Sequence, residues 1–181
     1  VSQRASGYVR RSDEDYATPP WPVLALLTHL QPRPQFVWDP ANGPHGQLAE
    51  TLRSCGIRAI GTNSNFLACG TPPAGVDTLL TNPPYGERKR GELAVAFIAH
   101  ALELDVPRIV LLLRVDFDSA LTRRHLFADE PRFASKVILL NRIKWFDGPS
   151  SPSDNHAWFL WDRSHRGLPA IHYVSRAEVE S

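Results

Sequence analysis

"TLLTNPPYGERKRG", residues 78–91, sets a short apolar run directly against Asn-Pro-Pro-Tyr, and charge follows at once. The run reads as a strand that stops on two prolines. Asn82 precedes proline, which disfavours the helical region and holds its backbone extended. Pro83 and Pro84 fix two successive φ angles, so the carbonyls there keep little entropy to lose. The Asn82 side-chain oxygen and the Pro83 carbonyl can together accept both hydrogens of an amino group. Accepting both draws an exocyclic amine out of conjugation with its ring and exposes its lone pair. Tyr85 can stack on the ring that bears the amine. The plain alternative is a proline turn closing a strand, with a partly buried tyrosine.

Outward from that stretch, the chain alternates strands and helices. Upstream, "YATPPWPVLALLTHL" has a proline-rich entry and then predicts a helix of about two turns beginning near Trp21. Phe36, Val37 and Trp38 form a short strand, and "GQLAETLRSCG" a helix with Leu48, Leu52 and Cys55 on one face and Gly56 as its cap. "IRAIG" is a second strand. Downstream, "GELAVAFIAHALEL" places Leu93, Ala94, Phe97, Ala101 and Leu104 on one side of a helix. "RIVLLL" is unbroken and apolar, the mark of a strand covered on both faces. "KVILL" and "AWFLW" are late strands with little helix between them, which suggests an antiparallel pair at one edge. Such alternation predicts an α/β doubly wound domain with a mostly parallel sheet. We expect a loose tail over residues 1–15, a single domain over 16–170 and a C-terminal tail over 171–181.

The 181 residues suffice for one domain with a core, and 43% apolar against 22% charged is an ordinary globular balance. No run approaches the length of a membrane helix, and no signal-peptide pattern opens the chain. A cytoplasmic protein with reduced Cys55 and Cys69 is expected, since two cysteines make no disulfide framework and lack metal-ligand spacing. No metal site is expected. The formal net charge of +1 means that nucleic-acid binding would rest on a local basic patch. With no methionine anywhere, the sequence reads as trimmed or as a fragment.

"WDPANGPHG" ends the first strand and opens a helix. In doubly wound folds ligands sit at the carboxyl ends of strands, against helix N-termini. Gly43 and Gly46 let the backbone approach a ligand closely, and Asp39 can accept a hydrogen bond from a ligand amine. An ordinary strand-to-helix turn uses the same residues. His45 either lines this pocket or is a solvated loop histidine. The glycine spacing matches neither phosphate fingerprint, so a nucleoside without a pyrophosphate fits better.

These stretches together resemble a family, the S-adenosylmethionine-dependent amino-methyltransferases of the Asn-Pro-Pro-Tyr type, above all the DNA adenine-N6 methyltransferases. "DPANGPHG" is similar to their cofactor motif, "TNPPYG" to their catalytic motif, and "YATPPW" to the N-terminal element that closes over the cofactor. "LLLRVDFDSALTRRHLF" and "RIKWFDG…NHAWFLWDR" look like later stretches of small, phage-type members. The resemblance implies a class I, Rossmann-like methyltransferase fold: a seven-stranded sheet with an antiparallel edge strand. It implies S-adenosylmethionine as cofactor, held by Tyr16, Thr18, Asp39, Pro40, Ala41 and Gly43. Asn82, Pro83, Pro84 and Tyr85 would be catalytic, and the substrate would be a flipped adenine in DNA. The same chemistry on RNA adenine or a protein glutamine, and a non-catalytic binding module of the same fold, are the alternatives.

The sequence departs from the family where carboxylates normally face the ribose and the adenine amine. Here Asn63 and Asn65 stand in "IRAIGTNSNFLACG", the loop is shortened, and an amide offers only one acceptor oxygen. The resemblance makes Asn63 and Asn65 cofactor-binding residues as well, and weakened cofactor binding follows. Arg88, Lys89 and Arg90 can hold phosphates beside a flipped base or simply open a solvated helix. Arg114, Arg123 and Arg124 form a second basic group with the same two readings. The loop "FDGPSSPSDNH" can gate entry. Trp145, Trp158 and Trp161 are expected in the core or on an edge strand, and His100 and His156 are read as structural.

Overall fold

The computed structural model describes residues 17–84, 91–145 and 154–180. They begin with α1 (Pro20–Leu27), which starts on prolines whose missing N–H groups would have had no partner in a first turn. β1 (Phe36–Asp39), α2 (Gln47–Ser54), β2 (Arg58–Gly61) and β3 (Thr78–Thr81) follow, then α3 (Glu92–Glu103) and β4 (Arg108–Arg114). The chain closes with β5 (Phe133–Leu139), β6 (His156–Asp162) and β7 (Ala170–Val174).

The strands form one sheet in the order β2-β1-β3-β4-β6-β5-β7. β1, β2, β3 and β4 pair in parallel, β6 runs antiparallel to both β4 and β5, and β7 is parallel to β5. The expected mixed, mostly parallel α/β sheet is therefore present. Its reversed strand lies inside the sheet rather than at the edge, because β5 and β7 continue beyond it. The late antiparallel pair is β5 with β6, and β5 begins at Phe133, earlier than "KVILL" indicated.

β4 decides how the layers stack. Its residues 108–113 are all buried, and they alternate: Val110 and Leu112 join a core with α1 and α2, while Ile109, Leu111 and Leu113 join a core with α3. A strand covered on both faces needs no polar alternation, hence the unbroken run. On α3 the buried stripe is Ala94, Phe97, Ile98, Ala101 and Leu102. Leu93 and Leu104, expected on that stripe, are only half-buried at its margins. Below the sheet, Asp77 gathers the strand starts: its carboxylate accepts from the Gln35 and Phe36 amides at 2.7 and 3.0 Å and from the Thr78 hydroxyl at 2.6 Å.

The C-terminal stretch is a further correction. Residues expected as a tail from 171 onward instead carry β7 to Val174 and a 3₁₀ turn at Arg176–Glu178. β7 is short and buries only one side chain, Val174. It lacks the apolar run that identifies an interior strand.

Candidate active site

At the carboxyl ends of β1 and β3 the chain turns sharply twice. β1 ends on Asp39, and the Thr62 amide donates to the Asp39 carbonyl at 2.9 Å while the Asn42 amide donates to the Thr62 carbonyl at 3.2 Å. Gly43 and Gly46 take φ values of 64° and 58°, a region that L side chains rarely occupy, and α2 starts immediately after. β3 ends on Thr81, and Asn82, Pro83 and Pro84 follow outside any helix or strand.

The two turns share one cleft, with about 520 Å³ of empty space that includes open solvent. Thr18, Asp39, Ala41 and Gly43 line it together with Asn82, Pro83 and Pro84, and Asn42, Gly46 and the exposed His45 complete the wall on the α2 side. Elements far apart in sequence are thus brought to one place. Pro40 is buried and does not line the cleft. Asn63 and Asn65 do not line it either. Asn63 is exposed and donates its Nδ2 to the Gly43 carbonyl at 3.1 Å, which braces the glycine turn, and Asn65 is exposed ahead of a 3₁₀ turn. Tyr16, Tyr85, Arg88, Lys89 and Arg90 lie outside the described residues, as does the loop at 146–153.

Asp39 is the electrostatic centre. It is 2% exposed, and its Oδ1 accepts from the Thr81 hydroxyl at 2.7 Å and the Ala41 amide at 3.1 Å. Burial pushes its carboxyl up to about 7, against the two hydrogen bonds, which lower it. The Thr81 bond joins the end of β1 to the end of β3, so the two halves of the cleft are fixed by a direct side-chain link. Thr81 was missed in the sequence. Its signal is a hydroxyl closing a buried apolar strand, one residue before Asn82.

Asn42 was missed as well. Its carboxamide lies flat on Gly61 at the end of β2, where a Cβ would come within 2.1 Å of the Asn42 Cγ. Its Oδ1 is buried and has no hydrogen-bond partner among the described residues, and an unsatisfied buried acceptor costs roughly 1–3 kcal/mol. The Asp39 carboxylate at the cleft wall fits a ligand that brings hydrogen-bond donors and a positive charge.

The remaining polar groups have structural work. Arg114 pairs with Asp116 at 3.1 Å and Arg124 with Asp129 at 2.8 Å. Arg123 lies 4.0 Å over the Phe117 ring and donates to the Phe117 carbonyl at 2.9 Å. The charge of this second basic group is met locally. Trp158 and Trp161 are fully buried, donating their Nε1 to the carbonyls of Pro22 and Leu126, and Trp145 meets His156 edge-on. His156 is buried and its pKa is lowered to about 4 by that burial, so it is neutral near pH 7. His100 shares a 2.9 Å hydrogen bond with the Cys69 carbonyl and ties α3 to the chain after β2. Both cysteines are free thiols. Among the described residues, no cluster of His, Cys, Asp and Glu could hold a metal ion, and no helix is long and apolar enough to cross a membrane.

No known family model matches the sequence, and no curated protein does. Solved structures do match in fold. A protein from Listeria monocytogenes described as a class I S-adenosylmethionine-dependent methyltransferase aligns with a TM-score of 0.65 at 12% identity, over 96% of this chain and 69% of its own. The methyltransferase subunit of a type I restriction-modification system from Streptococcus thermophilus gives 0.58 at 13%, over 89% and 47%. The M protein of the type I restriction enzyme EcoKI gives 0.56 at 14%, over 91% and 49%. The chain spans just under half of each restriction subunit. Its fold is that of the class I methyltransferases.

Proposed function

We propose that this chain transfers a methyl group from S-adenosylmethionine to the N6 amine of adenine in DNA. One observation carries the reading: Asn82, Pro83 and Pro84 line the same cleft as Thr18, Asp39, Ala41 and Gly43. An amine-presenting turn and an acceptor-lined cradle face a common space, which is the arrangement that direct transfer between two bound partners needs. S-adenosylmethionine would supply a methyl group on a sulfonium. The Asp39 carboxylate, braced by Thr81, would hold the ammonium of that cofactor, with Thr18 closing over it and the Gly43 turn allowing close backbone approach.

Asn82 Oδ1 and the Pro83 carbonyl would accept the two amine hydrogens. Nitrogen would then offer its lone pair to the methyl carbon as the carbon–sulfur bond breaks, and the surplus proton leaves the alkylated nitrogen afterwards. The pre-proline restriction on Asn82 and two fixed proline φ angles would hold these acceptors in place before the substrate arrives, which is how electrostatic preorganisation lowers a barrier. DNA as substrate rests on the sequence resemblance and on the restriction subunits among the structural neighbours, with Tyr85 and residues 88–90 as the groups to contact base and phosphates.

The test is transfer of labelled methyl from S-adenosylmethionine to unmethylated genomic DNA. We expect label on adenine N6, and a drop of roughly 10²–10³-fold in Asn82→Ala, in the range of losing one preorganised polar contact at a reacting centre. Folded protein that leaves no label on DNA overturns the substrate assignment. A second reading, a methyltransferase fold kept as a binding module, is favoured by Asn63, which braces the Gly43 turn instead of lining the cleft. Calorimetric titration separates the two: no heat at millimolar S-adenosylmethionine would favour the module.

A further inference from the structure

β7 is the last strand of the sheet, and its outer edge is bare among the described residues. The Val174 carbonyl accepts from the Leu140 amide of the β5 side at 2.9 Å. In a parallel ladder alternate residues then turn their backbone groups inward and outward, so Ile171 and Tyr173 point their N–H and C=O away from β5. Natural edge strands are usually guarded by charge, proline or a bulge. "AIHYV" carries no charge and no proline, and both Ile171 and Tyr173 are 59% exposed.

We propose that β7 pairs with β7 of a second copy of this chain, antiparallel and centred on His172. The strand is self-complementary in that register and in few others. Ile171 would exchange both backbone bonds with the partner subunit's Tyr173, and Tyr173 with the partner subunit's Ile171, which satisfies all four outward groups. The same pairing sets an isoleucine beside a tyrosine twice on one face, a favourable cross-strand combination. Because the contact is the same patch on both molecules, its symmetry is two-fold and it closes.

Charge supports the same occupant. Antiparallel pairing brings the segment before β7 alongside the segment after β7 of the other molecule. Arg166 lies in the first and donates only to backbone carbonyls, those of Arg163 and His165. Glu178 lies in the second and its carboxylate caps its own turn at Ser175. Neither is in an ion pair among the described residues, and the two signs are opposite where the copies would meet.

Sedimentation velocity of the whole chain over a range of concentrations tests this. We expect a monomer–dimer equilibrium that Ile171→Lys and Tyr173→Lys shift strongly to monomer, without lowering the melting temperature measured at concentrations where the parent chain is already monomeric, since both side chains are exposed. Arg166→Glu should weaken the dimer, and Arg166→Glu combined with Glu178→Arg should recover part of it. Register is read separately, in a chain whose Cys55 and Cys69 are replaced by serine. His172→Cys should cross-link to itself on oxidation, since its Cα atoms would stand about 4.5 Å apart in a non-hydrogen-bonded pair. Ile171→Cys should cross-link much less. A chain that stays monomeric at high concentration, or a dimer that survives Ile171→Lys and Tyr173→Lys, overturns the proposal.

Discussion

Asp39 is a carboxylic acid whose protonation is coupled to folding. Its pKa stands near 7 in the folded chain against an ordinary 3.8, so the folded state keeps a proton that the unfolded state releases. Stability therefore falls as pH rises from about 4 to about 7 and levels off above that. Urea midpoints at pH 5 and pH 7.5 should show the loss, and Asp39→Asn should flatten this contribution. A cationic ligand group prefers the carboxylate, so its binding works in the opposite direction. Affinity for S-adenosylmethionine should rise roughly tenfold between pH 5.5 and 7 in the parent chain and much less in Asp39→Asn, by calorimetry. That Asp39, Asn82 and the glycines would line a cleft was legible because each is an unusual choice at a strand end. Asn42 was not, since its role depends on Gly61, nineteen positions later, lacking a side chain.

Among elements, the end of β2 shapes the cleft without lining it. Gly61→Ala would drive a methyl group into the Asn42 carboxamide, costing about 1–3 kcal/mol as overpacking does. In Asn42→Ala only part of that clash is relieved, since the Cβ of residue 42 would still stand 2.6 Å from the new methyl group, and a double-mutant cycle on urea unfolding should show partial coupling. β4 and α3 were readable because burial on both faces, or on one stripe, leaves a periodic mark. β7 was not readable, because a five-residue edge strand with one buried side chain leaves no burial pattern to mark it. The place of the reversed strand was also hidden: strand order depends on long-range pairing, and nothing local to "AWFLW" states which neighbours it will have.

Over the whole molecule, α1 is bound to the sheet from the far side of the chain. Trp158 on β6 is fully buried and donates to the Pro22 carbonyl at 2.7 Å, and Pro22 lies just after Thr18 at the cleft. Trp158→Phe should cost about 2–4 kcal/mol in urea unfolding, from the emptied volume and the orphaned carbonyl. Cofactor affinity should fall with it, because Thr18 loses its anchor. The sheet's two rims also differ. β2 is four residues long and ends the sheet with Arg58, whose guanidinium is drawn 3.8 Å over the Phe36 ring, while the opposite rim is uncharged. With a short, charged rim on one side, strand addition at β7 would stop at a closed pair instead of running on from border to border.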